Sequence, residues 1–317
     1  MKESKAVAPG VRVMEIERSR GGQRIDNFLL TLFKGVPRSH IYRLLRTGQV
    51  RVNKGRIKPT YRLSVGDQVR IPPVSYSESM PVRIDDERRA VIEASVIHED
   101  EDVMVLDKPA GMAVHGGSGL RFGLIEALKE MRPACPEISL VHRLDRFTSG
   151  CLLVAKNRAM LPALQDQFRT ERVEKQYLTL VKGRWQGGAR TVTLSLHKGR
   201  LQSGERMVQV DDEEGKEAES RFIPVETFAV ASLMQVMLKT GRMHQIRVHA
   251  AGVGHPVAGD EKYGDPEFNR SMRDLGLKRI FLHAQALSFY HPRTGRLMSL
   301  STPLPDTLRQ VLERLQQ

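Results

Sequence analysis

A single carboxylate in the segment VHRLDRFTSG, residues 141–150, is the first candidate for chemistry. Asp145 stands between two arginines and ahead of a Thr-Ser-Gly turn, and the apolar run 151–155 that follows is typical of a buried strand. A carboxylate on a loop that leads into such a strand can be held rigidly at a cleft and act as nucleophile or base. The adjacent arginines favour its ionised form. A surface ion pair at a turn is the alternative for this segment.

A second segment, LKTGRMHQIRVH at residues 238–249, turns at Thr240-Gly241 and then has the spacing of a helix. On that helix His244 and Arg247 stand three positions apart, so both side chains can face one site. A structural salt bridge is the alternative role for Arg247. His249 follows His244 by five positions, and the segment has no HExxH motif, so we predict no metal site there.

Two further segments could line the same cleft. In EKQYL, residues 174–178, Tyr177 lies on a predicted strand and is either a functional aromatic or a core residue with a satisfied hydroxyl. The segment LDKPAGMAVHGGSG, residues 106–119, follows a predicted strand with a turn and a glycine-rich loop. It lacks the GKS or GKT ending of a nucleotide P-loop, so we interpret it as a flexible wall near the cleft.

The elements that must position these segments are mostly short strands. Strand candidates outnumber helix candidates and do not alternate with them regularly, which predicts an α+β fold with a mixed, largely antiparallel sheet. The strand candidates are residues 103–106, 151–155, 176–181, 191–196, 218–225 and 233–238. The helix candidates are residues 123–129, 160–168, 244–251 and 307–315.

Charge is concentrated at the front of the chain. The 317 residues include 50 Lys and Arg against 37 Asp and Glu, with a sequence pI near 9.9, which indicates a polyanionic partner. Residues 1–75 hold 16 basic and 5 acidic side chains, whereas residues 76–102 hold 3 and 9. This distribution is typical of a small basic module that neutralises phosphates, although a basic solvated surface has the same composition.

Composition also excludes several classes of protein. No charge-free apolar run approaches the roughly 18 residues of a membrane span, and the first ten residues lack the apolar region of a secretory signal. Cys135 and Cys151 form no CxxC pair, which argues against a disulfide framework and a thiolate zinc site. We therefore expect a cytoplasmic protein without membrane contact.

Apolar spacing in the basic region predicts two amphipathic helices, one from Arg24 and one after Pro37. A short hairpin over residues 50–58, with its turn at Lys54-Gly55, and a strand at residues 68–71 follow. We predict a flexible N-terminal tail at residues 1–20. A basic helix-helix-hairpin module then covers residues 21–75, a linker residues 76–92 and a larger domain residues 93–317.

The run GQRIDNFLLTLFKGVPRSHIYRLLRTGQVRVNKGRIK, residues 22–58, resembles the small RNA-binding module named after a small-subunit ribosomal protein, the alpha-L motif. In that module the second helix and the hairpin present basic side chains to an RNA backbone. Each of these side chains, taken singly, is also compatible with an ordinary exposed residue. The resemblance implies phosphate contact by Arg38, Arg43, Arg46, Arg51, Lys54 and Arg56.

The four segments together, KPAG, HRLDxxTSG, KxY and TGRxHQIRxH in this order, resemble the catalytic domain of the large pseudouridine synthase family that acts on ribosomal and transfer RNA. The resemblance covers about residues 99–300 and implies the pseudouridine synthase fold. One position departs from the family pattern, because Phe147 stands where a polar or acidic residue is usual. We expect that departure to affect local hydrogen bonding and the tolerated RNA neighbours, not the activity.

The resemblance also implies roles for individual residues. Asp145 is the catalytic carboxylate, Tyr177 stacks on the target base and helps to remove a ring proton, and Arg247 holds Asp145 as an oriented anion. Arg143 enters the space that the flipped nucleotide leaves, since the ribose carbon is inaccessible within a stacked helix. The remaining substrate-binding candidates are His142 and His244. No cofactor and no metal are expected.

The expected activity is the isomerisation of uridine to pseudouridine at several positions of large-subunit (23S) ribosomal RNA or its assembly precursors, by a monomer without a protein partner. Two alternatives stay open at this point. One is a non-catalytic RNA-binding factor in ribosome assembly, which the basic front module alone would serve. The other is the same chemistry on transfer RNA.

Overall fold

The computed structural model describes residues 10–33, 36, 38–74, 84–116, 122–200, 206–211 and 213–317. The chain divides into two compact units, Met1–Pro81 and Val82–Gln317. None of the helices in these described ranges combines the length and the apolar character that are needed to cross a bilayer.

The first unit is a three-stranded antiparallel sheet with two helices. Strand β3 lies in the centre of the sheet, between β1 and β2. The elements are β1 (Arg12–Glu15), a single 3-10 turn (Arg18–Arg20), α1 (Ile25–Leu32), α2 (Arg38–Arg46), β2 (Arg51–Val52) and β3 (Gln68–Ile71).

Both helices of this unit have the apolar stripe with helical spacing that the sequence predicts, and this stripe is the buried face. Phe28 and Leu29 of α1 are fully buried, as is Ile41 of α2, and they share one core with Val69 and Ile71 of the central strand. At about 25 cal/mol for each Å² of apolar surface, burying one such side chain contributes about 1.5–3 kcal/mol. This shared core holds the basic face of α2 on the outside of the unit.

Two predictions for this unit need correction. Arg12–Glu15 pairs with β3 and the adjacent Ile16 is buried, so the tail predicted for residues 1–20 is partly a strand. The hairpin turn falls on Asn53 and Lys54, both with left-handed backbone, and residues 56–58 form no strand. Asn53 stabilises this turn because its side chain donates to Asp67 and accepts from the backbone of β3.

The second unit is built on one large mixed sheet, in the order β10-β9-β11-β12-β8-β13-β7-β5-β4, with β14 paired to β13 and β6 to β7. Within the described residues every pairing is antiparallel except that of β13 with β7. Its strands are β4 (Val96–Glu99), β5 (Val103–Lys108), β6 (Ser139–Leu140), β7 (Ser149–Ala155), β8 (Glu174–Lys182), β9 (Arg190–Arg200), β10 (Arg206–Val210), β11 (Lys216–Thr227), β12 (Ala231–Leu238), β13 (Leu282–Tyr290) and β14 (Leu297–Ser301). Its helices are α3 (Asp86–Ala94), α4 (Leu124–Met131), α5 (Leu161–Arg169), α6 (Gln245–Gly252), α7 (Pro266–Asp274) and α8 (Asp306–Leu315).

The predicted class, α+β with a largely antiparallel sheet, is confirmed. Strand β7 lies between β13 and β5, and all seven of its residues are buried. Gly150 permits its parallel approach to β13, because a Cβ there would collide with the carbonyl of Ala284. The loop that ends at β7 is thus attached to a fully buried strand.

The linker predicted for residues 76–92 is wrong in its second half, which forms a helix. Helix α3 begins at Asp86, and Asp85 caps it by accepting a hydrogen bond from the backbone of Arg88 at 2.8 Å. Ile92 of this helix packs in the core of the second unit. The acidic run at residues 85–87 therefore lies at the beginning of a helix, where the helix dipole stabilises negative charge. Residues 75–83 lie outside the described part of the chain.

Candidate active site

Asp145 begins a β-turn that leads into β7. The backbone N–H of Thr148 donates to the Asp145 carbonyl at 3.1 Å, so Arg146 and Phe147 occupy the corner of the turn. The Asp145 side chain is 35% exposed, which leaves its carboxylate accessible to a ligand. Sequence reasoning placed this carboxylate on a loop feeding a buried strand, and the structure has that arrangement.

A fully buried lysine holds this turn from one side. Lys108 Nζ donates to the carbonyls of Pro109 at 2.8 Å, Met112 at 3.0 Å and Arg146 at 3.1 Å. The Gly111 N–H also donates to the Arg146 carbonyl, at 2.9 Å. Burial lowers the pKa of Lys108 to about 7. Lys108 and Gly111 therefore anchor the turn after Asp145, whereas residues 117–119 of the predicted flexible wall lie outside the described part of the chain.

A half-buried arginine also binds the turn. Arg279 Nη1 donates to the carbonyl of Phe147 at 3.1 Å, and Nη2 donates to the hydroxyl of Ser149 at 2.9 Å. Burial lowers the pKa of Arg279 to about 10, so the guanidinium is still charged at neutral pH. The Arg279 guanidinium, and Lys108 when it is protonated, thus fix the turn through hydrogen bonds to backbone carbonyls.

Arg247 connects Asp145 to a second, fully buried carboxylate. Its Nη1 donates to Asp145 Oδ2 at 3.3 Å, while Nε and Nη2 both donate to Asp260 at 2.7 Å. Burial opposes the charge of Arg247, but the hydrogen bonds to Asp260 raise its pKa above the usual value. The pKa of Asp260 is lowered, because the same pair outweighs its burial. Arg247 is therefore a fixed cation whose position Asp260 determines.

His244 also lies close to the Asp145 carboxylate. It precedes α6 with a left-handed φ of 54°, and its Nε2 is 3.7 Å from Asp145 Oδ2. The Tyr263 hydroxyl accepts a hydrogen bond from the Val208 N–H and lies 2.9 Å from His244 Nδ1. If the neutral ring accepts from this hydroxyl at Nδ1, its proton is on Nε2, facing Asp145. Burial lowers the pKa of His244, which favours this neutral form.

Tyr177 projects from β8, between two core clusters of the second unit. Burial and the charge of Asp145 raise the pKa of its phenol well above the usual value. The ring therefore carries a protonated hydroxyl at neutral pH, within electrostatic range of Asp145.

The structure places the other sequence candidates apart from this group. The ring of His142 accepts a hydrogen bond from the Leu153 N–H at 2.9 Å and stacks on Phe168 with centroids 4.6 Å apart. Burial lowers the pKa of His142 to about 3. His142 therefore supports β7 while its side chain stays partly exposed, and its assignment as a substrate-binding residue stays a prediction. Arg143, in contrast, is exposed on the Asp145 loop.

The basic candidates of the first unit lie on its surface. Lys54 occupies the tip of the hairpin, and the side chain of Arg38 lies outside the described part of the structure. The exposed members, none of which forms an ion pair with a carboxylate in the described residues, are Arg43, Arg46, Arg51, Lys54 and Arg56. These side chains offer free positive charge to a phosphate backbone.

Sequence reasoning did not assign Asp260, Tyr263, Lys108 or Arg279 to the site. Asp260 and Tyr263 belong to the segment HPVAGDEKYGD, residues 255–265, whose acidic and aromatic residues close to glycines were the available signal. Lys108 had a signal too, as a lysine at the end of an apolar strand. In the described residues, three potential metal ligands come together at His197, Asp211 and Glu214, none of which belongs to the Asp145 group.

Comparison with known proteins gives this geometry a context. Residues 102–252 match the model of the RNA pseudouridylate synthase family, and residues 23–69 match the S4 domain. The chain is 48% identical, over 100% of its length and 97% of the relative's, to "Ribosomal large subunit pseudouridine synthase C" of Pasteurella multocida. The chain belongs to the RNA pseudouridylate synthase family. It is also 49% identical to the protein of the same name from Escherichia coli K12, over 98% of both chains.

Solved structures agree with the fold of this RNA pseudouridine synthase. "Human RNA Pseudouridylate Synthase Domain Containing 4" superposes with a TM-score of 0.60 at 24% identity, over 73% of the synthase and 96% of the human chain. "Human RNA Pseudouridylate Synthase Domain Containing 1" gives a TM-score of 0.54 at 24% identity, over 70% and 94%. At these identities the likeness concerns the fold alone.

Proposed function

We propose that this synthase isomerises uridine to pseudouridine in large-subunit ribosomal RNA and that Asp145 is its catalytic carboxylate. The substrate class is supported by the names of relatives that match the chain over its full length. The S4 match and the unpaired basic side chains of the first unit support binding of an RNA backbone. In this proposal the first unit binds RNA and the second performs the reaction.

In the proposed reaction Asp145 attacks the target nucleotide or removes a ribose proton, so that the bond between C1′ and N1 of uracil breaks. The uracil turns while it is enclosed, a bond from C1′ to C5 forms, C5 loses its proton and N1 gains one. The bond from Asp145 to the nucleotide breaks again, or the removed ribose proton returns to its carbon. Atoms and electrons balance within the nucleoside, so the isomerisation needs no external redox partner. An accessible carboxylate with a fixed cation beside it suits either first step.

Arg247 positions Asp145 in this proposal and does not itself touch RNA. Its guanidinium side chain is 14% exposed and already binds two carboxylates. His244 Nε2 lies 3.7 Å from the same carboxylate oxygen that accepts from Arg247, so Oδ2 faces two nitrogen groups. Orientation of this kind is worth several kcal/mol in a reaction between two held groups.

Tyr177 and Arg143 act on the flipped nucleotide in this proposal. Tyr177 stacks on the uracil and helps to remove the C5 proton after the base turns, which requires that its phenol first lose its own proton. Arg143, exposed on the Asp145 loop, fills the space that the target nucleotide leaves in the RNA. We propose that the protein acts as a cytoplasmic monomer, because the folded RNA supplies the recognition surface.

The observation that carries this proposal is the contact of Arg247 with Asp145, in a chain that belongs to the RNA pseudouridylate synthase family. The test is to incubate the purified protein with unmodified transcripts of large-subunit ribosomal RNA and of transfer RNAs and to map pseudouridine in each. We expect modification of several uridines in the ribosomal transcript. Modification of the transfer RNAs alone would refute the proposed substrate, and binding without modification would support an assembly factor.

A further inference from the structure

The corner of the turn after Asp145 presents two side chains that the proposed chemistry does not use. Arg146 and Phe147 are both exposed, and Phe147 has 49% of its surface accessible. It is the one exposed phenylalanine among the residues that the structure describes. Single exposed apolar residues are common on protein surfaces, so exposure alone does not assign a function to this ring.

The backbone that carries the ring is unusually well fixed. The Phe147 carbonyl accepts a hydrogen bond from half-buried Arg279, and the Arg146 carbonyl accepts from buried Lys108 and from the Gly111 N–H. Hydrogen bonds from charged donors are about twice as strong as those between neutral groups. The position of the ring relative to Asp145, two residues away, is therefore set by the interior of the domain.

The Arg146 side chain is fixed as well. Its Nε donates to the carbonyl of Gly111 at 2.8 Å, and its guanidinium lies over the Phe147 ring, 5.2 Å from the centroid. A guanidinium plane and an aromatic ring are the two surfaces on which proteins stack unpaired RNA bases. Both are present here, next to the catalytic carboxylate, and exposed Arg143 adds positive charge on the same loop.

A nucleotide that flips out of a strand leaves its neighbours without a stacking partner, at a cost of a few kcal/mol. We propose that Phe147 and Arg146 form a stacking platform for the base of the nucleotide adjacent to the target uridine. The inference rests on the proposed function, because it needs an RNA whose target uridine reaches Asp145. Stacking tolerates any base, so the platform improves binding of the flipped state without reading a sequence.

The test compares three synthetic RNA stem-loops that contain one uridine converted in the ribosomal transcript. The first stem-loop is intact, and the other two carry an abasic nucleotide on the 5′ or the 3′ side of the target. Loss of one base–aromatic stack corresponds to a fall of roughly 5- to 150-fold. We expect Phe147→Ala to lower kcat/KM by that factor on the intact RNA, mainly through KM. On the abasic RNA that lacks the stacked base, whether on the 5′ or the 3′ side, wild type and Phe147→Ala should have equal kcat/KM, because no stack is left to lose.

Two further variants separate stacking from structural damage. Phe147→Trp should restore kcat/KM on the intact RNA, and Tyr290→Ala, which removes another exposed aromatic side chain on β13, should leave it unchanged. An equal loss for Phe147→Ala on all three RNAs, or no loss on any, would overturn the platform while leaving the activity proposal intact. If the wild-type protein converts no uridine in any RNA, the proposed function itself fails, and the platform with it.

Discussion

Replacement of Arg247 by methionine should damage stability and catalysis separately, because the guanidinium serves two carboxylates. In Arg247→Met, Asp260 keeps two hydrogen bonds from the backbone N–H groups of Lys262 and Tyr263 but loses two from the guanidinium. Its side chain is 0% exposed, so the charge stays buried without a counterion. Breaking a buried pair in this way costs about 3–5 kcal/mol.

The double variant Arg247→Met with Asp260→Asn should recover part of that stability. The amide oxygen still accepts from the two backbone N–H groups, and no buried charge is left. We expect a gain of about 2 kcal/mol over the single variant, because the unpaired amide N–H groups retain a cost of about 1–3 kcal/mol. The free energy of unfolding in urea, measured for the wild type and for the three variants of the cycle, gives these differences.

Catalysis should not recover with stability, because Asp145 lacks its 3.3 Å partner in both variants that contain methionine. A misplaced reacting group costs about 100-fold in rate, so we expect a loss of that order in pseudouridine formation, with RNA affinity nearly unchanged. The Arg247 side chain is 14% exposed and binds two carboxylates, which is why RNA affinity should persist. If activity returns together with stability in the double variant, Arg247 is a structural residue and the reasoning is refuted.

Three other results are expected. Tyr177→Phe keeps the stacking ring, so it should retain RNA affinity while conversion slows by about 100-fold or more; equal conversion would exclude the hydroxyl from proton removal, and Tyr177→Ala serves as the control that loses affinity too. His249 is fully buried without a hydrogen-bond partner in the described residues, and burial lowers its pKa to about 4. Between about pH 6.5 and pH 4 the unfolded chain binds a proton at His249 that the folded chain does not, so the free energy of unfolding should decrease as the pH is lowered. His249→Leu should reduce this slope by up to about 1.4 kcal/mol per pH unit in urea unfolding. Parallel profiles for wild type and variant would contradict this. RNA binding should weaken with salt, and Lys54→Gln should reduce the log–log slope by about 0.7–0.9 in filter binding, whereas an unchanged slope would remove Lys54 from the phosphate contacts.

Local sequence carried enough information for the helices and for the position of Asp145. The apolar spacing of α1 and α2 and the buried run of β7 are signals that lie within a few residues of each other. The strand Arg12–Glu15 was missed because it is short and mostly exposed, so the sequence shows no apolar run there.

Tertiary contacts explain what the sequence could not predict. The parallel pairing of β13 with β7 joins residues that are 134 positions apart, as the hydrogen bond between Ser149 and His283 shows, and no local pattern encodes it. The role of Lys108 depends on three carbonyls that converge only in the folded chain. In the same way Arg247 was identified from its motif, whereas its strongest partner, Asp260, lies on a different segment.

The central claim is that the Asp145 carboxylate performs the reaction, and Asp145→Asn tests it most directly. The amide has the same shape, can still accept from Arg247 and carries no charge, so fold and RNA affinity should persist. The measurement is pseudouridine formation in an unmodified large-subunit ribosomal RNA transcript, with RNA binding measured on the same protein. The account predicts bound RNA and no detectable pseudouridine. Undiminished conversion by Asp145→Asn would contradict it.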